Sequence, residues 1–409
     1  MDYDRQVSLI ADYLRRGEKD KESLKIGMEL EHFITEQDGK NVAYEGERGV
    51  CAILKKIEAM GYEGIYEGDN ILGINHEDFS ITLEPGGQIE FSAVPSSEIS
   101  VLKGRYEVFY GILNQVVSDY GLRIQNLGYL PKDKIKDISL IPKKRYQVMY
   151  RYFENKGCYA HNMMKGTASL QVAVDYRSEK DFHKKFYVAN ALVPMIYAMF
   201  DNSPMFEGEP YKGFALRSMI WNNTDPDRCG IVEGAMNSSF TYEDFAQYIL
   251  DKPPILILED GELKETGDKK AKDVFRPDKG DENGIEHLLS MNFSDVRVRN
   301  YLEIRVPDSV PEEYALGLCA MCKGIFYHRE NLNDLYDFFR NTTEFQIEEA
   351  KKDILKEGIH TEYAQMELVE LFGRIITDAR YGLEQEEQVY LKPLDSLARS
   401  EMTLRERYE

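Results

Sequence analysis

An α+β fold built on a mainly antiparallel sheet is predicted for this chain by three observations. Strand-like runs recur at residues 25–35, 69–91, 167–176 and 296–306, several with polar and apolar residues in alternation. Tight turns such as Pro85-Gly86-Gly87 join neighbouring runs in the manner of hairpins. Long segments of helical period separate the runs and fill most of the chain beyond residue 311. A chain of 409 residues suits two average domains or one large enzyme domain. One catalytic domain over 1–409 is expected, with a helical C-terminal part over 311–409.

Taken in order, Tyr3, Val7, Ile10 and Leu14 mark an amphipathic helix over 2–16. The strand over 25–35 contains Gly27-Met28-Glu29-Leu30-Glu31-His32-Phe33. A helix over 47–61 is stopped by Gly61, and residues 69–91 read as antiparallel strands joined by turns. Tyr106, Tyr110, Leu113, Val117 and Tyr120 mark a helix that Gly121 stops, and a strand follows over 122–130. Residues 142–157 are basic and aromatic. The helix over 179–201 turns Phe182, Phe186, Leu192, Val193, Ile196 and Phe200 inward, with a kink expected at Pro194. Residues 259–284 are polar, charged and Gly-containing, as in a mobile loop or hairpin excursion.

Composition narrows the function. Apolar content of 43% and charged content of 30% belong to a folded globular chain. A net charge of −21 argues against nucleic acid as a main partner, although a few arginines in a cleft can still hold a small anion. No run of about 18 apolar residues offers a membrane span. The start, Met1-Asp2-Tyr3-Asp4-Arg5, lacks the pattern of a signal peptide, and no organelle-targeting extension is read. Five scattered cysteines do not form a secreted disulfide pattern, so a cytoplasmic protein is expected, monomer or homodimer. Cys319 and Cys322 stand in an apolar helical stretch and read as buried thiols.

The chemistry concentrates in acids on strands. Glu29 and Glu31 are two apart, so they share a strand face at about 6.5–7 Å, while Met28 and Leu30 take the core side. Glu84 and Glu90 flank the Pro85-Gly86-Gly87 turn, which needs no acid on either side. Glu303 and Arg305 repeat the two-residue spacing, and Arg297 and Arg299 lead into them. Each set alone also fits a solvated strand face or an exposed hairpin. Together they suggest one sheet face lined with Glu and Arg, able to hold Mg²⁺ or Mn²⁺ and to clamp phosphates. No phosphate-binding glycine loop and no His-Glu-x-x-His occurs. A second set, Arg217 to Arg228, carries the only Trp, Trp221, and suits carboxylate recognition; Arg145 and Gln171 are candidates for the same pocket.

These segments resemble the glutamate–cysteine ligases of the plant and proteobacterial type, family 2. The resemblance rests on Ile26-Gly27-Met28-Glu29-Leu30-Glu31-His32-Phe33, on Leu83-Glu84-Pro85-Gly86-Gly87-Gln88-Ile89-Glu90-Phe91-Ser92 and on Met163 to Val172. Phe200-Asp201-Asn202-Ser203-Pro204, Arg217 to Arg228 and Tyr301-Leu302-Glu303-Ile304-Arg305 continue it, in order over about 25–306. It implies a glutamine synthetase-like fold, a curved antiparallel sheet forming an open funnel with helices outside. It also implies ATP-dependent joining of the γ-carboxylate of L-glutamate to the amine of L-cysteine. Metal-binding acids would be Glu29, Glu31, Glu84, Glu90 and Glu303, and substrate contacts Arg145, Thr167, Gln171, Arg217 and Trp221. Arg305 and Arg297 would stabilise charge on the transferred phosphoryl group, and 259–284 would supply a lid. Gly166 departs from the basic residue that plant relatives carry before Thr167. A ligase with another amine acceptor, a phosphagen-type kinase and a non-catalytic binding protein remain as alternatives at this point.

Overall fold

The computed structural model describes residues 2–259, 261–277 and 281–407. Its centre is β1 (Ile26–Thr35), in a sheet completed by β2 (Glu63–Glu67), β3 (Asn70–Asn75), β4 (Phe79–Leu83), β5 (Ile89–Ala93), β6 (Arg123–Gln125), β7 (Leu170–Val174) and the strands Val296–Val298 and Leu302–Ile304. Across the sheet the order is 296–298, 302–304, β7, β1, β5, β4, β3, β2, and β6 pairs with the far end of β1. Every pairing within it is antiparallel.

Residue parity on β1 decides which face is which. Ile26, Met28 and Leu30 are buried, and His32 joins them, bonded to Ile89 O and Tyr106 Oη. Burial pushes the His32 imidazole down to about 4, so it is a neutral core group. Helix α3 (Ile99–Asp119) and the helix Glu312–Phe326 pack on this sheet. Burying one such apolar side chain contributes about 1.5–3 kcal/mol, so a one-residue slip, which would bury Glu29 and Glu31 among these helices, is strongly disfavoured.

Helices α1 (Tyr3–Arg15), α2 (Val50–Ala59), α4 (Lys144–Phe153), α5 (Ala160–Gly166), α6 (Glu179–Met199), α7 (Leu216–Asn222) and α8 (Tyr242–Leu250) surround the sheet in the first three hundred residues, α8 packing on α1. The α+β architecture is the one expected, and the chain beyond residue 311 is mainly helical. No helix among the described residues is long and apolar enough to cross a membrane.

Two local expectations change. The strand expected over 296–306 is two short antiparallel strands, turned at Arg299-Asn300-Tyr301, where Arg299 N–H bonds Tyr301 O at 2.8 Å. The strand expected over 122–130 is confined to 123–125; beyond it Gly128 N–H turns to Asn202 O and Tyr129 makes only an isolated bridge to Thr167. Helix α6 continues through Pro194 to Met199. Of the mobile loop or hairpin excursion expected over 259–284, the hairpin forms: Ile255–Glu259 pairs with Glu262–Gly267, and the helices Ala271–Val274 and Glu282–Ser290 follow. Arg151 and Lys156, on and just after α4, pair with Glu265 and Asp268 of this hairpin region. Asp260 and 278–280, part of the same expected loop, lie outside the described residues.

Candidate active site

The turn 84–88 is shaped by its glycines. Gly87 adopts φ 87°, a conformation that side chains resist, and a Cβ on Gly86 would meet Lys165 O at 2.4 Å. Gln88 locks the turn from inside, accepting Gly86 N–H at 2.8 Å and donating to Thr167 O at 2.8 Å. The result aims Glu84 at the cavity and leads straight into β5, where Glu90 lies directly across from Glu31 of β1. Acids in that relation repel unless something neutralises them.

The partners of these acids are short hydrogen bonds to neutral groups. Glu90 Oε1 accepts Thr82 Oγ1 at 2.6 Å and Ser92 Oγ at 3.3 Å. Glu31 accepts Ser169 N–H at 2.8 Å, Ser169 Oγ at 2.9 Å and Gln171 Nε2 at 3.3 Å. Glu84 accepts Tyr146 Oη at 3.1 Å. Burial, and then the neighbouring Glu84, pushes Glu31 up to about 7; burial, and then Glu303, does the same to Glu29. Glu90 is raised well above the usual carboxylate range by burial and by Glu29, Glu84 and Glu31. Burial is the first cause in each case, and the neighbouring carboxylates add to it.

All the candidate residues except Glu303 line one cavity of about 270 Å³. Glu303 faces a second cavity of about 330 Å³, which shares Glu29 and Gln171 with the first. Glu303 lies opposite Arg297 and Ala173, on the same sheet face as Gln171 and Glu29, and Arg297 Nη2 and Arg305 Nη1 both reach its Oε2 at 2.7 Å. Burial would raise Glu303, but Arg297, Arg305 and Arg299 together draw it down to about 2. Arg305 also donates to Gln171 Oε1. One oxygen of Glu303 is thus spent on two arginines, while its Oε1 is buried with no hydrogen-bond partner and the carboxylate shares a cavity with Glu29. Among the described residues, no three His, Cys, Asp or Glu side chains gather closely enough to hold a metal ion by themselves.

Arg145, Arg217 and Trp221 give the first cavity N–H donors of the kind that a carboxylate accepts. Arg145 of α4 bonds Ser290 O at 3.3 Å, and Arg217 of α7 bonds Val306 O at 3.0 Å while lying 5.3 Å from the Trp221 ring. Arg145 Nε, Arg217 Nε and Trp221 Nε1 are buried with no hydrogen-bond partner. Thr167 spends its hydroxyl on Met163 O at 2.7 Å. Arg228, at the end of the Arg217 segment, does not reach the cavity; it is buried on Asp225 Oδ2 at 2.7 Å and Pro253 O at 3.0 Å.

Comparison with known proteins follows the same lines. The family model described as glutamate-cysteine ligase family 2 matches residues 25–407. The chain belongs to glutamate-cysteine ligase family 2. The match takes in the C-terminal helices, beyond the 25–306 that carry the motifs. Chloroplastic glutamate–cysteine ligase A of Oryza sativa subsp. indica is 30% identical over 406 residues, 97% of this chain and 82% of the relative. The chloroplastic enzyme of Arabidopsis thaliana is 29% identical over 403 residues, 96% of this chain and 77% of the relative. The solved glutamate–cysteine ligase of Francisella tularensis, in complex with AMP, shares the fold at a TM-score of 0.60 and 10% identity, over 94% of this chain and 84% of that one. The expected glutamine synthetase-like architecture stands. The cytoplasmic location expected from composition is overturned by these plant relatives, which are chloroplastic enzymes.

Sequence reasoning missed Ser169, Tyr146, Gln88 and an apolar wall of Met149, Met163, Met164 and Phe293. Ser169 was within reach, because it stands two residues before Gln171 and so shares its face. The apolar wall comes from segments far apart in the chain and leaves no local pattern.

Proposed function

We propose that this chain is an ATP-dependent ligase joining the γ-carboxylate of L-glutamate to the amine of L-cysteine through a γ-glutamyl phosphate, the opening step of glutathione biosynthesis. The observation that supports it most is the cross-strand pair Glu31 and Glu90, raised in pKa and sharing a cavity with Arg305, in a chain of this family. AMP in the bacterial relative supports nucleotide use. A nucleotide would run from the first cavity past Glu29 and Gln171 into the second.

Glu29, Glu31, Glu84 and Glu90 would hold Mg²⁺ or Mn²⁺. Their donors are all hard oxygens, and Mg²⁺ is commonly bound by one or two carboxylates plus water and phosphate, without an all-protein cage. When bound, the ion offsets phosphate charge and favours transfer of the γ-phosphoryl group.

Arg305 and Arg297 would stabilise the negative charge that shifts between phosphoryl group and leaving group, with Glu303 holding both guanidinium groups. Arg145, Arg217 and Trp221 Nε1 would orient the amino acid through its carboxylate, using the donors that are buried and unpartnered. Gln171 would join the two halves, since it contacts both Glu31 and Arg305. The glutamate γ-carboxylate then takes the phosphoryl group as ADP leaves, and the acceptor amine displaces phosphate from the acyl carbon. The wall of Met149, Met163, Met164 and Phe293 keeps water from the acyl phosphate.

Purified protein with ATP, Mg²⁺, glutamate and cysteine should release ADP and phosphate only when an amine acceptor is present. Absence of ADP with every amino-acid pair rejects the ligase reading, and preference for another amine replaces cysteine alone.

A further inference from the structure

The helix Glu344–Glu357, in the C-terminal part, carries a lysine with no exposed surface, Lys351. Its ammonium donates to Asp295 Oδ2 at 2.7 Å and to Glu348 Oε1 at 3.1 Å. Asp295 is buried too, and it is a junction. Its Oδ1 accepts Tyr197 Oη of α6 at 3.1 Å. Its N–H donates to Gly230 O at 2.9 Å, and its carbonyl accepts the Arg305 N–H at 3.1 Å. One residue later the strand Val296–Val298 begins, and Arg297 sits at its middle.

A buried ion pair of this kind is a poor source of stability, because desolvation offsets most of the attraction and a packed apolar pair serves as well. Its position supplies the reason for it. Arg297 and Arg305 come from two adjacent antiparallel strands and converge on the single oxygen Glu303 Oε2. Sliding one strand against the other would separate them. Asp295 fixes both at once, one through the chain and the other through the Arg305 main chain, and Lys351 is the cation that fixes Asp295.

We infer that Lys351, acting through Asp295, is a positioning residue that holds Arg297 and Arg305 on the transferring phosphoryl group. This is the part that the C-terminal helices play in the reaction. The inference rests on the ligase reading above, and it goes beyond that reading in giving a role to a side chain that does not line the cavity.

The experiment compares wild type, Lys351→Met and the double variant Lys351→Met/Asp295→Asn. ADP release is measured against glutamate concentration, and folded sites are counted by ADP-binding calorimetry. A misplacement of about 1 Å at a reacting centre costs about 100-fold in rate, so Lys351→Met should lower kcat per folded site by about 10- to 100-fold. KM for glutamate should change much less than kcat, because Arg145 is held on Ser290 O, apart from both strands, while Arg217 bonds Val306 O beside Arg305. The double variant leaves no unpaired buried charge, so it should fold where the single variant fails, and it should remain slow. If wild type releases no ADP with any acceptor, the ligase reading falls and this inference with it. If wild type is active and either folded variant keeps kcat within about twofold, or shows its loss in KM alone, the positioning role is overturned while the ligase reading stands.

Discussion

Replacing Glu303 with Gln separates an arginine anchor from a metal ligand. The Glu303 carboxylate is 1% exposed, and its Oε2 takes two guanidinium groups at 2.7 Å each. A carboxyl drawn from 4.5 down to about 2 is favoured as its anion by about 3 kcal/mol. Breaking a buried pair by removing one partner costs about 3–5 kcal/mol, which agrees. At an unfolding entropy of about 2.1 cal/mol/K per residue, a loss of 3 kcal/mol lowers the melting temperature of this chain by about 3–4 °C. Because the folded pKa is depressed, that stabilisation is present above about 4.5 and is lost as pH falls toward about 2. The gap between wild type and Glu303→Gln should therefore be full at neutral pH and shrink in acid. Scanning calorimetry without Mg²⁺ measures it. The half-saturating Mg²⁺ concentration for ADP release should stay within about threefold, while kcat falls by about 100-fold as the two arginines lose their common anchor. An unchanged melting temperature without Mg²⁺, together with a tenfold rise in half-saturating Mg²⁺, would refute the anchor and return Glu303 to the metal-binding acids.

Three further outcomes follow from the same geometry. Glu29 and Glu31 are raised from 4.5 to about 7, so the stability they contribute is complete below about 4.5 and is lost as pH rises through about 7. Mg²⁺ should therefore raise the melting temperature more at about pH 8 than at about pH 5.5, and an equal shift at both would count against cation binding by these acids. Ser169→Ala removes a 2.9 Å hydrogen bond to Glu31, worth about 1.5–3 kcal/mol to the ionised form, and should raise half-saturating Mg²⁺ in a titration of ADP release. Gly86→Ala places a methyl 2.4 Å from the Lys165 carbonyl oxygen and should cost about 1–3 kcal/mol in chemical denaturation, with a slower enzyme as Glu84 is displaced.

The acids were legible because a strand has a period of two. Glu29 and Glu31 fall on the face opposite Met28, Leu30 and His32, and that parity is visible in seven consecutive residues. Parity says nothing about register between strands, and register decides the remainder. That Glu31 opposes Glu90, and that Arg297 opposes Glu303, depends on strand pairings between residues as far apart as 31 and 90. Reading 296–306 as one strand put Arg297, Arg299, Glu303 and Arg305 in a single row. The turn at 299–301 folds that row back on itself, which keeps Glu303 on the acidic face and brings Arg297 directly across from it.

The same logic accounts for an acidic chain that handles anionic substrates. A net charge of −21 repels ATP at long range, but screening confines that effect to about 8 Å at physiological salt. Inside the cavity the charge is divided by position. Carboxylates raised by burial stand on the β1 and β5 side, and Arg297, Arg299 and Arg305 stand on the side of the two short strands. Gln171 of β7 sits on the boundary, donating to Glu31 and accepting from Arg305. A neutral amide there serves both sides. Glutamate at 171 would add one more negative charge to the acids, and lysine would add one more positive charge to the arginines. Gln171→Glu should consequently raise the pKa of Glu31 further and demand more Mg²⁺ for the same rate, while Gln171→Met, which removes both hydrogen bonds without adding charge, should slow the reaction at every Mg²⁺ concentration.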